Sequence, residues 1–107
     1  MVKNRWRLIM KVNYQSVNFN ADQKLLDFIQ KKLDKLDVFY DHIVDGHVYL
    51  RVEGSSERDN KVCEIKLNIP GKDLMATKQC KSFEEAADLS VEALRRALVK
   101  HKEKVRS

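Results

Sequence analysis

The sequence predicts an α+β domain of order βαβββα, a four-stranded mixed sheet with two helices packed on one face. Three observations predict it. Four segments alternate apolar and polar residues, two segments carry apolar residues at helical spacing behind capping residues, and turn-forming residues gather between the later strands. At 107 residues the chain has room for a single core, so residues 1–107 are read as one domain.

Leu8, Met10, Val12 and Tyr14 alternate with Ile9, Lys11 and Asn13, which reads as a strand over residues 8–17. A helix start follows: Asn20 is placed to cap, Gln23 to reach back three residues later, and Asp22 to favour the positive end of the dipole. Leu25, Ile29, Leu33 and Leu36 then fall within about 80 degrees of one another at the helical period, a core stripe. Lys24, Lys31 and Lys35 line a neighbouring face, with Asp27 and Asp34 further round.

Val48, Leu50 and Val52 alternate with polar neighbours as the second strand, and Cys63, Ile65, Leu67 and Ile69 as the third. Gly54 to Asn60 is the loop between them. Pro70-Gly71 turns the chain into a fourth strand over about residues 72–80, whose weaker alternation suits a sheet edge. The last helix opens on a capping box, Ser82 with Glu85, and its apolar stripe is Ala87, Val91, Leu94, Leu98, His101 and Val105. A strand joined to the next through a helix runs parallel to it by a right-handed crossover, and the three later strands form a meander.

Charge is unevenly placed. Residues 1–7 carry +3 and residues 95–107 carry +5, leaving −3 between them. Such an asymmetry concerns partners rather than fold, and it points to nucleic acid or an anionic surface. On the last helix Arg96 and Lys100 point away from the apolar stripe, Arg95, Lys102 and Arg106 lie on one flank, and Lys104 lies on the other. If the helices lie side by side, the Lys24, Lys31, Lys35 row and the Arg96, Lys100, Lys104 row are expected to merge into one basic ridge. The plain alternative is a solvated helix face.

Other chemistry finds little support. Cys63 and Cys80 form no CxxC, and His42, His47 and His101 stand at no metal-ligand spacing from them, so both thiols are read as reduced interior positions, with no metal and no cofactor. No phosphate loop, nucleophile elbow or HExxH occurs, and the protein is not read as an enzyme. No apolar run is long enough to span a membrane, and no leader pattern follows Lys3, Arg5 and Arg7, so a cytoplasmic protein is expected. A membrane-surface helix would need free large apolar residues, which the core stripe has already claimed. A double-stranded RNA module would place bases at the start of its last helix, where this chain has Glu84 and Glu85.

Four stretches, Lys32-Leu33-Asp34-Lys35-Leu36, Phe39-Tyr40-Asp41-His42-Ile43, Val48-Tyr49-Leu50-Arg51-Val52-Glu53 and Leu98-Val99-Lys100-His101-Lys102-Glu103-Lys104, together resemble the ribosome hibernation-promoting factors, also known as ribosome-associated inhibitors or sigma-54 modulation proteins. The resemblance covers about residues 10–106. It implies a bacterial protein that binds the small ribosomal subunit, through its 16S rRNA, in the channel of the A and P sites, and silences translation in stationary phase or stress. It also implies that Lys32, Lys35, Arg96, Lys100, Lys102 and Lys104 contact RNA phosphates; Lys24, Lys31, Arg95 and Arg106 join them from the helix faces alone. His42 stands where the family usually has arginine, and Ser82-Phe83-Glu84 replaces the usual aspartate, methionine and tyrosine. The resemblance favours the short type, monomeric in solution, which stabilises paired ribosomes with help from a second factor. Met10 matches the family's usual start, so residues 1–9 are read as a disordered or over-annotated extension, or else as a basic arm with Trp6 packed on the sheet edge. The alternative function is a generic structured-RNA-binding domain without ribosome specificity.

Overall fold

The structure, a computed structural model, describes residues 10–17, 19–54 and 59–106, with the side chains of residues 105 and 106 excepted. The expected first turn of strand at residues 8 and 9, the place of Trp6, the tip of the 54–60 loop and the Val105 side chain lie outside the described residues. The elements are β1 (Lys11–Val17), α1 (Gln23–Phe39), β2 (Asp45–Val52), β3 (Lys61–Ile69), β4 (Lys72–Cys80) and α2 (Phe83–Arg106). Their order is the predicted βαβββα.

The sheet order is β1-β2-β3-β4, with β1 parallel to β2 and the other pairs antiparallel. Tyr14 pairs with Val48, Val48 with Ile65 and Ile65 with Ala76, which brings inward-facing residues into register across all four strands. Val48, Leu50, Cys63, Ile65 and Leu67 are completely buried. Gly71 has φ +88, the left-handed position that a proline-led turn needs after Pro70. At the other hairpin the Glu53 N–H donates to the Asn60 carbonyl at 2.8 Å and closes the base of the loop.

Both helices pack on the same face. Leu25, Ile29, Leu33 and Leu36 of α1 and Ala87, Leu94 and Leu98 of α2 share one core with the inward sheet residues. The Tyr14 hydroxyl donates to Gln30 Oε1 at 2.7 Å and ties β1 to α1. Burial, with the Asp34 and Asp27 charges adding, pushes the Tyr14 phenol up to about 12. The two free thiols are buried as expected. Burial pushes Cys63 up to about 12, which suits an inert interior thiol.

Two local readings need correction. Asp22, not Asn20, caps α1: its carboxylate accepts from the Leu25 N–H at 3.0 Å, and the Gln23 side chain donates to Asp27 at 2.9 Å instead of reaching back. A charged acceptor at the positive helix end outcompetes a neutral amide two residues upstream. The buried face of α2 also includes Phe83, Ala86 and Ser90, while Val91 and His101 are only half-buried. Small residues at 86, 87 and 90 let the helix lie close on the sheet, where the Ser90 hydroxyl donates to the Cys63 carbonyl at 3.3 Å. The Ser82 cap is as expected, accepting from the Glu85 N–H at 3.1 Å.

Candidate nucleic-acid interface

The crossover that makes β1 and β2 parallel also makes α1 and α2 parallel neighbours, because each helix runs back against an upward strand. Three contacts fix the seam. Lys32 Nζ lies 2.9 Å from Asp88 Oδ1, and nearer the C-terminal ends the Phe39 ring receives the Arg95 guanidinium at 5.3 Å and the Lys102 ammonium at 4.6 Å. Lys32 also lies 5.1 Å over the Phe28 ring. A groove between the helices is lined by Lys32, Lys35, Phe39, Asp88, Glu92 and Arg95.

Charge follows the helix axis. The first half of α2 carries Glu84, Glu85, Asp88 and Glu92, whereas the second half carries Arg95, Arg96, Lys100, Lys102, Lys104 and Arg106 against Glu103. α1 runs the same way and bears Lys31 at its middle and Lys32 and Lys35 beyond it, beside Asp34 and Asp37, so the excess of cations at this end of the layer comes chiefly from α2, and Lys24 lies at the other end. A cation in the last turn of a helix, as Lys104 is on α2, is stabilising by roughly 0.3–1 kcal/mol, whereas the last turn of α1 holds no basic residue.

Of the ten candidate residues, Lys24, Lys31, Lys35, Arg95, Arg96, Lys100, Lys102 and Lys104 are exposed, and Lys32 is half-buried against Asp88 and Phe28. Arg106 closes α2, its side chain outside those described. The expected union of the Lys24, Lys31, Lys35 row with Arg96, Lys100 and Lys104 is not how the helices meet. Arg95 and Lys102 face α1 across the seam, while Lys100 and Lys104 border a hollow toward β4 with Lys72, Leu74 and His101. The rotation of α2 that buries Ala86 and Ser90 sets this division. Lys72 and Phe39 were not among the expected site residues. Phe39 could have been found from the helical wheel, where it falls between the core stripe and Lys35, and Lys72 from its place directly after the Pro70-Gly71 turn.

The opposite face of the sheet has another character. Arg51 pairs with Glu53 at 3.5 Å and Glu64 at 3.6 Å, and Lys66 with Asp73 at 3.7 Å, so its charges are largely matched. Tyr49 stacks beside His47 there, on the far side from the helical cations. Tyr40 is buried and meets the rings of His42 and His101 edge-on. Among the described residues no cluster of three or more His, Cys, Asp or Glu is placed to hold a metal, and no helix is long and apolar enough to cross a membrane.

Known proteins resemble this chain in sequence and in fold. The ribosome hibernation promoting factor of Pseudomonas putida is 31% identical over 98 residues, covering 92% of each chain. The ribosome hibernation promotion factor of Bacillus subtilis is 30% identical over 98 residues, covering 90% of this chain and 50% of that one. A ribosomal subunit interface protein from Coxiella burnetii has the same fold, with TM-score 0.78 and 19% identity over 88% of this chain and 99% of that one. Residues 12–106 match the model of one family, and the chain belongs to it: the sigma 54 modulation protein / S30EA ribosomal protein family.

Proposed function

We infer that this protein is a ribosome hibernation factor of the bacterial cytosol, which binds the small ribosomal subunit at the A- and P-site channel through its two-helix basic surface and silences translation in stationary phase or stress. The observation that carries the reading is the run of six cations against one acid in the second half of α2, with Lys32 and Lys35 of α1 at the same end of the helix layer, in a chain whose relatives are named for ribosome hibernation. Two parallel helices on a sheet form a rigid body. The 24 residues of α2 make a rod of about 36 Å at about 1.5 Å per residue, long enough to lay several cations along folded RNA. Phosphate contacts from Lys35, Arg95, Arg96, Lys100, Lys102 and Lys104, with Lys24, Lys31, Lys32 and Arg106 around them, supply affinity without base readout, as suits a target whose position is set by shape. Occupancy of the channel excludes transfer RNA, which is inhibition by competition for space.

Sedimentation tests this reading. In extracts of starved cells the protein should run with small subunits, single ribosomes or paired ribosomes, and purified protein should inhibit cell-free translation at concentrations comparable to ribosomes. A protein that binds structured RNA equally well whether or not it comes from ribosomes would instead be a generic RNA-binding domain.

A further inference from the structure

The cations at the seam are held in two different ways. Lys32 is held by a carboxylate, 2.9 Å from Asp88, and is thereby largely neutralised. Arg95 and Lys102 are held by a ring: they stand seven residues apart on one flank of α2, and the Phe39 ring takes both, at 5.3 and 4.6 Å. An aromatic quadrupole attracts a cation within about 6 Å but carries no net charge, so it orients the cation and leaves its full charge available to an anion. Lys102 makes no ion pair among the described residues, and Arg95 has only Glu92 at 3.9 Å, a carboxylate that also lies 3.9 Å from Arg96.

The helix end that carries the ring is itself fixed. Phe39 is the last residue of α1, the Tyr40 N–H donates to the Leu36 carbonyl at 2.9 Å, and the Tyr40 side chain is buried edge-on to His101 of α2. The helix end is thus pinned on both sides of Phe39. Two like charges drawn onto one ring repel each other, a tension that an incoming phosphate relieves.

We propose that Phe39 is a positioning residue for RNA binding, holding Arg95 and Lys102 in a phosphate-ready arrangement without neutralising either. This rests on the reading of the helix layer as the RNA-binding surface. Its energetic role is preorganisation: two long side chains lose less freedom on binding because they are already placed.

The experiment has two arms. In the free protein, NMR should show ring-current shifts at the Lys102 ε and Arg95 δ protons, which Phe39→Leu removes and Phe39→Trp retains. In binding to isolated small subunits, Phe39→Leu should weaken affinity about five- to tenfold, Phe39→Trp should stay within about twofold, and Phe39→Leu should have no added effect once Arg95→Gln and Lys102→Gln are present. Melting curves of all variants identify any loss due to unfolding, and Phe39→Trp carries the test if Phe39→Leu does not fold. Absent ring-current shifts overturn the proposal. So does a Phe39→Leu loss that persists in the Arg95→Gln, Lys102→Gln background, which would place the ring itself on the RNA. If the parent binds and Phe39→Leu is indifferent, the positioning role fails alone; if the parent does not bind small subunits, the RNA-binding reading fails with it.

Discussion

Lys32 of α1 and Asp88 of α2 stand 2.9 Å apart, Nζ to Oδ1, so a cation that the family resemblance implies as an RNA contact is already committed across the seam. Their exposures are 32% and 60%, and an ion pair so open to solvent contributes at most about 1 kcal/mol to stability. Its larger effect falls on the surface charge. Asp88→Asn releases Lys32 and removes an anion from the groove, and should tighten binding to small subunits about two- to fivefold with little change in melting. By the same logic Lys32→Ala should weaken binding less than Lys35→Ala. Equal losses would show that RNA displaces Asp88 from Lys32.

Arg96 and Lys100 are exposed on α2, and neither side chain takes part in the core. Arg96→Glu with Lys100→Glu should therefore abolish ribosome association while changing stability by less than about 0.5 kcal/mol per site. Leu94 is 1% exposed in the same helix, and Leu94→Ala should cost roughly 2–5 kcal/mol. Chemical denaturation read beside co-sedimentation separates the two effects. Unfolding by the charge reversals would contradict the orientation of α2.

The fold was readable because the alternation of Cys63, Ile65, Leu67 and Ile69 and the stripe of Leu25, Ile29, Leu33 and Leu36 each allow one inward face. The topology followed from connection lengths. What sequence could not supply is how far α2 is rotated on the sheet, since Ala86, Ala87, Ser90 and Val91 offer several nearly equivalent apolar faces and only packing against β3 and β4 selects one. That rotation decides which bases face α1, so Arg95 and Lys102 at the seam were less legible than the basic character of the helix. The α1 cap was missed because Asn20 and Asp22 are both competent. The stack of Phe19 on Phe83, with centroids 4.6 Å apart, engages the segment entering α1, where Asp22 makes the cap.

Alkaline stability follows from Tyr14 and Cys63. Both hold their protons more tightly folded than in their ordinary state, at about 12 against 10.0 for Tyr14 and about 12 against 9.0 for Cys63, with burial the leading cause for each. A folded pKa raised above the unfolded one contributes stability that is complete below the unfolded value and is lost as pH rises toward the folded value. Their contribution should thus be intact at neutral pH, begin to fall above about pH 9 as Cys63 loses its advantage, and fall further above about pH 10 with Tyr14. Tyr14→Phe gives up the Gln30 hydrogen bond, about 0.5–1.5 kcal/mol, but should flatten the later part of the alkaline decline. An unchanged decline in denaturation midpoints would mean that Tyr14 ionises no differently once folded.

Binding to small subunits should depend steeply on salt, because a surface that works by neutralising phosphate releases counterions when it binds. If about six helix cations each meet one phosphate, log affinity should fall against log salt with a slope of about −4 to −5. The partition at the seam sharpens this expectation. Lys32 begins paired with Asp88 and should add little to the slope, whereas Arg95 and Lys102, held by the neutral Phe39 ring, should each add nearly a full increment. Lys102→Gln should therefore reduce the slope by about 0.7–0.9 and Lys32→Gln by clearly less. The measurement is the dissociation constant of each variant across a salt series with purified small subunits. A parent slope near about −1 would correspond to roughly one phosphate and would remove the helix layer as the contact surface.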